Sequence, residues 1–257
     1  MDEILQITGV NKKYFIKKTE LDVLLDINLD MREGEIISIV GSSGCGKSTL
    51  LKLIVGLERA TSGSILIDGK EVTGPSEKCG IVYQEPRLFP WLTVDQNIAF
   101  GLSKNAPRSE RKEKTSEYIS LVGLNGFEHA LPKQLSGGMQ QRVSIARALV
   151  GNPEILLLDE PFGALDALTR IQMQNEIVRI WETRRTTMIL VTHDIDESIF
   201  LSDKVIIMSK RPGKISKIIN AKLPRPRDRS SPDFTSIRRE IYQEFFQYSN
   251  IDMEYYI

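Results

Sequence analysis

Gly41-Ser42-Ser43-Gly44-Cys45-Gly46-Lys47-Ser48 fits the spacing G-x-x-x-x-G-K-[ST], and the residues flanking it decide the fold. Before it, Glu35-Ile36-Ile37-Ser38-Ile39-Val40 is an apolar run of strand type. After it, Thr49-Leu50-Leu51-Lys52-Leu53-Ile54-Val55 has helical character, and strand, loop and helix are the context this octapeptide requires. Glycines let the main chain curl close to an anion, so that consecutive amide N–H groups point inward while the helix N-terminus adds its partial positive charge. In such a loop the lysine, here Lys47, reaches the β- and γ-phosphates, and the next hydroxyl, Ser48, coordinates Mg²⁺. The expectation is a nucleotide-phosphate site on an α/β core.

The chain of 257 residues exceeds the roughly 100–200 of a typical domain, which predicts one large α/β domain or two subdomains. Its 34 Lys and Arg balance 34 Asp and Glu, so no global field draws it to nucleic acid or an anionic membrane. Two cysteines, Cys45 and Cys79, make no disulfide framework and suit a reducing cytosol. No apolar run approaches the roughly 18 residues that span a bilayer. Met1-Asp2-Glu3 starts neither a basic n-region nor an apolar h-region, so the chain is expected to be neither secreted nor transmembrane.

Outward from the loop, strands are expected over residues 5–10, 21–29 and 35–40, with Arg32-Glu33-Gly34 as a turn. Tyr14 lies between the first two strands among Lys12, Lys13, Lys17 and Lys18, where an adenine could stack. Gly56 stops the helix after the loop; strand 64–67, turn Asp68-Gly69 and strand 80–84 follow, the last broken by Glu85-Pro86. Helical patterns cover 94–102, 109–122 and 136–150. Strand 154–159, helix 168–184, strand 187–192, helix 194–201 and strands 204–209 and 214–220 resume the core. The Pro- and Arg-rich stretch 223–232 reads as a linker. In the tail, Ile237, Ile241, Phe245 and Tyr248 recur at helical spacing and are expected to pack on the core. The organisation expected is a core with a β subdomain over 1–85 and 152–222, a helical insertion over 86–151, and a C-terminal segment over 223–257.

Ile155-Leu156-Leu157-Leu158 ends in Asp159-Glu160, which places two carboxylates at the carboxyl end of a buried strand, where open α/β sheets bind ligands. Asp159 is expected to hold Mg²⁺ through its water shell, and Glu160 to orient and deprotonate the attacking water, because phosphoryl transfer depends on positioning and charge stabilisation. His193 also follows a strand; it either donates to the γ-phosphate or braces Glu160, and His129 reads as a surface residue. Gln84 offers its amide oxygen to Mg²⁺ or to the lytic water. Ser136-Gly137-Gly138 at a helix start forms a second anion seat, which one nucleotide per chain does not need, so it is expected to serve another subunit's nucleotide.

These motifs together resemble the ATP-binding subunit of an ABC transporter, across residues 4–220. The resemblance implies an α/β fold with a P-loop NTPase core of RecA-like type, an antiparallel β subdomain and an inserted helical signature subdomain. It implies ATP and Mg²⁺ as ligands. It assigns Tyr14 to adenine stacking, Gly41, Ser42, Ser43, Gly44, Cys45, Gly46, Lys47 and Ser48 to the Walker A loop with Thr49 beside it, and Gln84 to the Q-loop. Ser136, Gly137 and Gly138 fall in the signature, Asp159 in Walker B, Glu160 at the catalytic carboxylate, Asp166 in the D-loop and His193 in the H-loop. Met139 stands where the family commonly has Gln, and Gly163 where it commonly has Ser.

The family implies a head-to-tail dimer with two ATP molecules between its chains, working at the cytoplasmic face of the inner membrane. A permease would dock near Leu88, Phe89, Pro90 and Trp91, and an extracytoplasmic binding protein would act indirectly. Residues 84–91 and 161–166 look most like importers of the nitrate, sulfonate and taurine group. The rival reading, a soluble ABC-type ATPase acting on nucleic acid or ribosomes, lacks both a long coiled coil and a second cassette. A GTPase should carry Asn-Lys-x-Asp after the loop, whereas Asn11-Lys12 precedes it and leads to Tyr14.

Overall fold

Strands β1 (Glu3–Ile16) and β2 (Thr19–Arg32) form a long antiparallel hairpin. The computed structural model describes residues 3–16, 19–103 and 105–247; Met1, Asp2, Lys17, Lys18 and Tyr248 of the sequence reading lie outside the described residues. Two compact units make up the chain, one of Met1–Pro75 with Ile189–Ile257, the other of Ser76–Met188.

In the first unit the hairpin joins β4 (Ser62–Ile67) and β5 (Lys70–Glu71) in the order β2-β1-β4-β5. Leu5, Ile7, Ile27, Leu29, Ile65 and Ile67 are buried between half-buried or exposed neighbours, the alternation of a sheet with one wet face. Asp68 (φ 50°) and Gly69 (φ 66°) supply the two positive φ values of a tight hairpin turn between β4 and β5. Both long strands exceed the expected ranges because pairing continues through Lys12↔Leu24 and Tyr14↔Leu21. Main-chain bonds carry that part of the ladder, and they leave no apolar pattern in the side chains.

The same unit holds β3 (Ile36–Gly41), buried over its whole length, in parallel register with β9 (Lys204–Met208), while β10 (Ile215–Asn220) pairs antiparallel to β9. The order is β10-β9-β3-β8, where β8 (Thr187–Thr192) enters the unit at Ile189. Helix α1 (Lys47–Ile54) leaves β3 through the Gly-rich loop. Helices α6 (Ile195–Leu201) and α7 (Pro232–Gln247) share a core of Val40, Ile199, Val205, Ile219, Phe234 and Ile241. The expected packing of the tail is found at Ile237, Ile241 and Phe245.

The stretch 223–232, expected as a linker, is anchored instead. Leu223 lies on the same core. Arg227 is buried, and its Nη1 donates to Ile199 O and Ser202 O at 2.5 Å each. Burial, with the neighbouring Arg225 charge, pushes its pKa down to about 10 against the pull of Asp203. Composition suggested a linker because Pro and Arg are common in linkers; it could not show that carbonyls at the end of α6 need donors.

In the second unit β6 (Cys79–Val82) and β7 (Ile155–Asp159) run parallel in the register Cys79↔Ile155 to Val82↔Leu158. Helices α2 (Val94–Ala99), α3 (Arg108–Leu121), α4 (Gly137–Leu149) and α5 (Ala167–Arg184) complete it, with a 3-10 turn over Pro132–Gln134. Side-chain caps start two of them: Ser136 accepts from Met139 N, and Asp166 from Thr169 N. β6 ends at Val82, short of the expected Gln84, and the Tyr83 carbonyl accepts from Gln141 Nε2 of α4 at 3.2 Å.

Phe234 tests whether α7 belongs to the core. Phe234→Ala empties a fully buried ring and is expected to cost about 3–5 kcal/mol, read as a lower urea midpoint at unchanged m-value. An unchanged midpoint would mean that α7 is peripheral.

Candidate functional site

The expected site residues fall in both units: Tyr14, residues 41–49 and His193 in the first, and Gln84, Ser136, Gly137, Gly138, Asp159, Glu160 and Asp166 in the second. In the first unit β3 delivers Gly41 to the sheet edge and the chain turns through Ser42, Ser43, Gly44 and Cys45. Gly46, at φ 108°, caps α1 in a conformation that L side chains rarely adopt. No acidic residue occupies the first turn of α1, so the positive end of its dipole is uncompensated. Lys47 is buried, and its Nζ donates to Gly41 O at 2.8 Å and Ser42 O at 3.2 Å. A buried ammonium needs such partners, and phosphate oxygens, being charged, would hold it more strongly than carbonyls. Burial pushes the Cys45 thiol up against the pull of Lys47, so it stays protonated as a packing residue.

Tyr14 meets Thr49 of α1. The Tyr14 hydroxyl donates to the Glu58 carboxylate, and Lys12 Nζ stands 4.7 Å over the ring while pairing with Glu58 at 3.2 Å. Burial first, then the Glu58 bond, pushes the phenol up to about 12, with Thr49 opposing. The ring is therefore held neutral and in place, with one face taken by an ammonium. Lys13 is committed elsewhere, to Glu20 at 3.0 Å and Asp22 at 3.5 Å. His193 sits exposed in the turn that leads into α6. That turn is held by Asp194 N donating to Thr192 Oγ1 at 3.0 Å, by Glu197 N donating to Asp194 Oδ1 at 3.0 Å, and by a Thr192 to Glu197 bond.

In the second unit β7 carries Asp159 and turns sharply at Glu160, whose φ of 47° is left-handed. Such a backbone costs about 1–2 kcal/mol in a non-glycine residue and gathers at functional sites. The Gln84 carboxamide lies against Gly163, where a Cβ would stand 2.9 Å from Nε2 and 3.5 Å from Glu160 O. The Gly at this position thus makes room for Gln84. Ser136 and Gly137 are exposed at the start of α4, and Gly138 abuts Thr169 of α5, whose N-cap is Asp166. Asp166 is held below the usual carboxylate range, chiefly by the Thr169 hydroxyl.

Sequence reasoning missed the residues that tie α4 to the stretch after Gln84. Arg147 donates to Arg87 O at 3.0 Å and Pro86 O at 2.9 Å, and Gln141 holds the Tyr83 carbonyl. It also missed Asn97, fully buried, whose carboxamide binds the main chain of Phe89, Leu92 and Thr93 and so shapes the apolar loop. Phe100 joins that loop with its ring 4.5 Å from Phe89. The Arg147 and Gln141 bonds join residues far apart along the chain, and the Asn97 and Phe100 contacts depend on burial and on the shape of the loop, so no periodic spacing signals them.

Residues 24–163 match the family model described as ABC transporter. A Bacillus cereus (strain ZK / E33L) protein named "Aliphatic sulfonates import ATP-binding protein SsuB" is 53% identical over 91% of this chain and 92% of its own. The Bacillus subtilis (strain 168) protein of the same name is 49% identical over 96% of each. Among solved structures, the ATP-binding cassette MJ0796, a dimer in a post-hydrolysis state bound to ADP and Pi, superposes with a TM-score of 0.74 at 32% identity, covering 86% of this chain and 100% of that one.

Replacing Arg147 with Met strips donors from two carbonyls and is expected to cost about 2 kcal/mol of stability. Arg147→Lys should recover part of that. Urea denaturation of the three proteins is the measurement, and equal midpoints would show that the tie carries no weight.

Proposed function

The chain belongs to the ABC transporter family, and from that premise we propose that two copies close head to tail on two ATP molecules and hydrolyse them to drive import of a sulfonate through a separate membrane permease. One observation carries the reading. A single chain has two glycine-rich helix starts, α1 behind Gly46 and α4 behind Ser136, and only the first carries a buried lysine, Lys47, bonded to the carbonyls of its own loop. The second start, exposed at Ser136 and Gly137, is the kind of surface that a partner's nucleotide would fill. Leu168 and Ile171, exposed on α5 just after Asp166, add apolar surface suited to a second copy.

Lys47 exchanges the carbonyls of Gly41 and Ser42 for β- and γ-phosphate oxygens, while the amides of the loop from Ser42 to Gly46 surround the β-phosphate and Thr49 lies beside it. Tyr14 stacks on adenine. As the family resemblance implies, Ser48, Gln84 and Asp159 would be the donors for Mg²⁺. Among the described residues no group of three or more His, Cys, Asp or Glu could hold a metal by itself. That donor set fits Mg²⁺, which keeps several waters and is bound by few protein groups together with phosphate oxygens. Glu160 takes the proton of the attacking water. His193 donates to the γ-phosphate or braces Glu160, and Asp166 lies at the seam of the dimer.

Among the described residues no helix is long and apolar enough to cross a membrane. The proposed docking surface for the permease is the loop of Leu88, Phe89, Pro90 and Trp91. Trp91 is 71% and Phe100 59% exposed, with Phe89 between them. Because Asn97 fixes this loop and Arg147 ties the stretch before it to α4, a partner bound here touches a segment continuous with Gln84. In this reading the protein works at the cytoplasmic face of the membrane, and a substrate-binding protein acts through the permease. The sulfonate cargo rests on the names of the relatives, since no residue of this chain is assigned to it. Action on nucleic acid or ribosomes is not favoured, given importers as relatives and balanced charge.

Glu160→Gln should bind ATP, accumulate as an ATP-dependent dimer on size exclusion and lose at least about 100-fold in kcat; Lys47→Ala should lose nucleotide affinity instead. Wild-type turnover in Glu160→Gln would remove the general base. Trp91→Ala and Phe100→Ala should keep the melting temperature and the basal ATPase, yet lose co-purification with the permease and alkanesulfonate uptake. Unchanged uptake in both variants would remove the docking surface.

A further inference from the structure

The turn between β9 and β10, Ser209-Lys210-Arg211-Pro212-Gly213-Lys214, lies outside every motif of the nucleotide site, yet it is fitted to the phosphate loop. Arg211 directs both Nε and Nη2 at the Gly44 carbonyl, each at 3.3 Å. Gly213 lies flush against the next peptide of the loop: a Cβ there would stand 2.0 Å from Cys45 O. The other side of the turn is stapled to β2, with Gly213 N donating to Val23 O at 2.9 Å and Leu25 N donating to Gly213 O at 2.9 Å. Ser209 closes the turn on itself, because its amide donates to Lys214 O at 2.9 Å and its Oγ accepts from Lys214 N at 3.0 Å. The turn is thus a brace held at one end by a strand and pressed at the other on two consecutive loop peptides.

We propose that Arg211 and Gly213 are positioning residues for nucleotide binding, holding the Gly44 and Cys45 carbonyls so that the amides of Cys45 and Gly46 face the phosphate. The physical link is the trans peptide, in which C=O and N–H point in opposite directions. Fixing the Gly44 carbonyl toward Arg211 turns the Cys45 N–H to the opposite side, where it makes a long bond of 3.3 Å to Ser42 O that a phosphate oxygen could replace. Crowding the Cys45 carbonyl against Gly213 does the same for the Gly46 N–H. Gly44 (φ 77°) and Gly46 (φ 108°) have no side chains to hold them in these left-handed conformations, and the Lys47 bonds reach only Gly41 and Ser42, so contacts from outside the loop add the constraint at these two residues. Orienting donors before the anion arrives lowers the cost of binding. The inference rests on the proposal that this loop binds ATP.

The test is MgATP affinity by calorimetry, alongside KM and kcat for hydrolysis, in the full-length chain. Arg211→Ala should raise Kd and KM about three- to tenfold, the scale of one hydrogen bond to a charged group, with kcat within about twofold of wild type. Arg211→Lys, which can still donate to Gly44 O, should recover part of the loss. Gly213→Ala should raise Kd further, since its Cβ forces the loop to move; if that variant does not fold, the two Arg211 variants decide. A role in stability alone would lower the melting temperature and leave KM unchanged, which overturns the proposal. So would an Arg211→Ala protein that loses kcat at wild-type KM. Wild-type protein that binds no MgATP would overturn the site reading and this inference together, whereas equal affinity in wild type and Arg211→Ala overturns only the inference.

Discussion

The Lys47 ammonium is a charge removed from water, and the loop around it is shaped by that constraint. Its partners are main-chain carbonyls of the loop that precedes it, at Gly41 and Ser42. Carbonyls turned toward a cation leave the neighbouring amides to face elsewhere, and a loop rich in glycine can make that alternation without steric cost. β3, an apolar strand buried over its whole length between β9 and β8, gives the loop a fixed starting point, and the uncompensated N-terminus of α1 completes the field. An anion with several oxygens can take over the ammonium and the amides together.

A second arrangement depends on α4. Ser136 caps it, two glycines follow, and the helix then carries Gln141 and Arg147 to the carbonyls of Tyr83, Pro86 and Arg87. The signature and the stretch after Gln84 are thereby parts of one bonded assembly, with the aromatic loop of Phe89 and Trp91 as its continuation. Within it, Gly163 lets the Gln84 amide lie against the backbone that leaves Glu160. A serine at that position would shift the Gln84 amide from its present place.

The C-terminal segment shows how charge and burial can reverse a compositional reading. Pro- and Arg-rich sequence ordinarily stays solvated, but Arg227 finds the carbonyls of Ile199 and Ser202 at the end of α6, and Arg238 grips Asp196 in the first turn of the same helix, at 2.5 and 2.9 Å. Phe234 and Ile241 then close the core over β9 and β10. The segment stabilises the helix that follows His193, and it does so with donors placed where a helix end leaves acceptors unsatisfied.

Local chemistry determined much of this protein in advance. The octapeptide from Gly41 to Ser48, the apolar run into Asp159, and the helix start at Ser136-Gly137-Gly138 each specify their structure within a few residues, because phosphate loops, buried strands and helix starts are governed by neighbours along the chain. The limits of α5, β7 and β9 were legible to within a residue or two for the same reason. What only the tertiary structure decided are relations between distant residues: the Tyr14 hydroxyl on Glu58, Arg147 on the carbonyls beyond Gln84, Arg227 beneath α6, and the Arg211 turn on Gly44. A hydrogen bond or a glycine's close approach depends on where two surfaces meet after folding. That meeting leaves no periodicity in a sequence to be read.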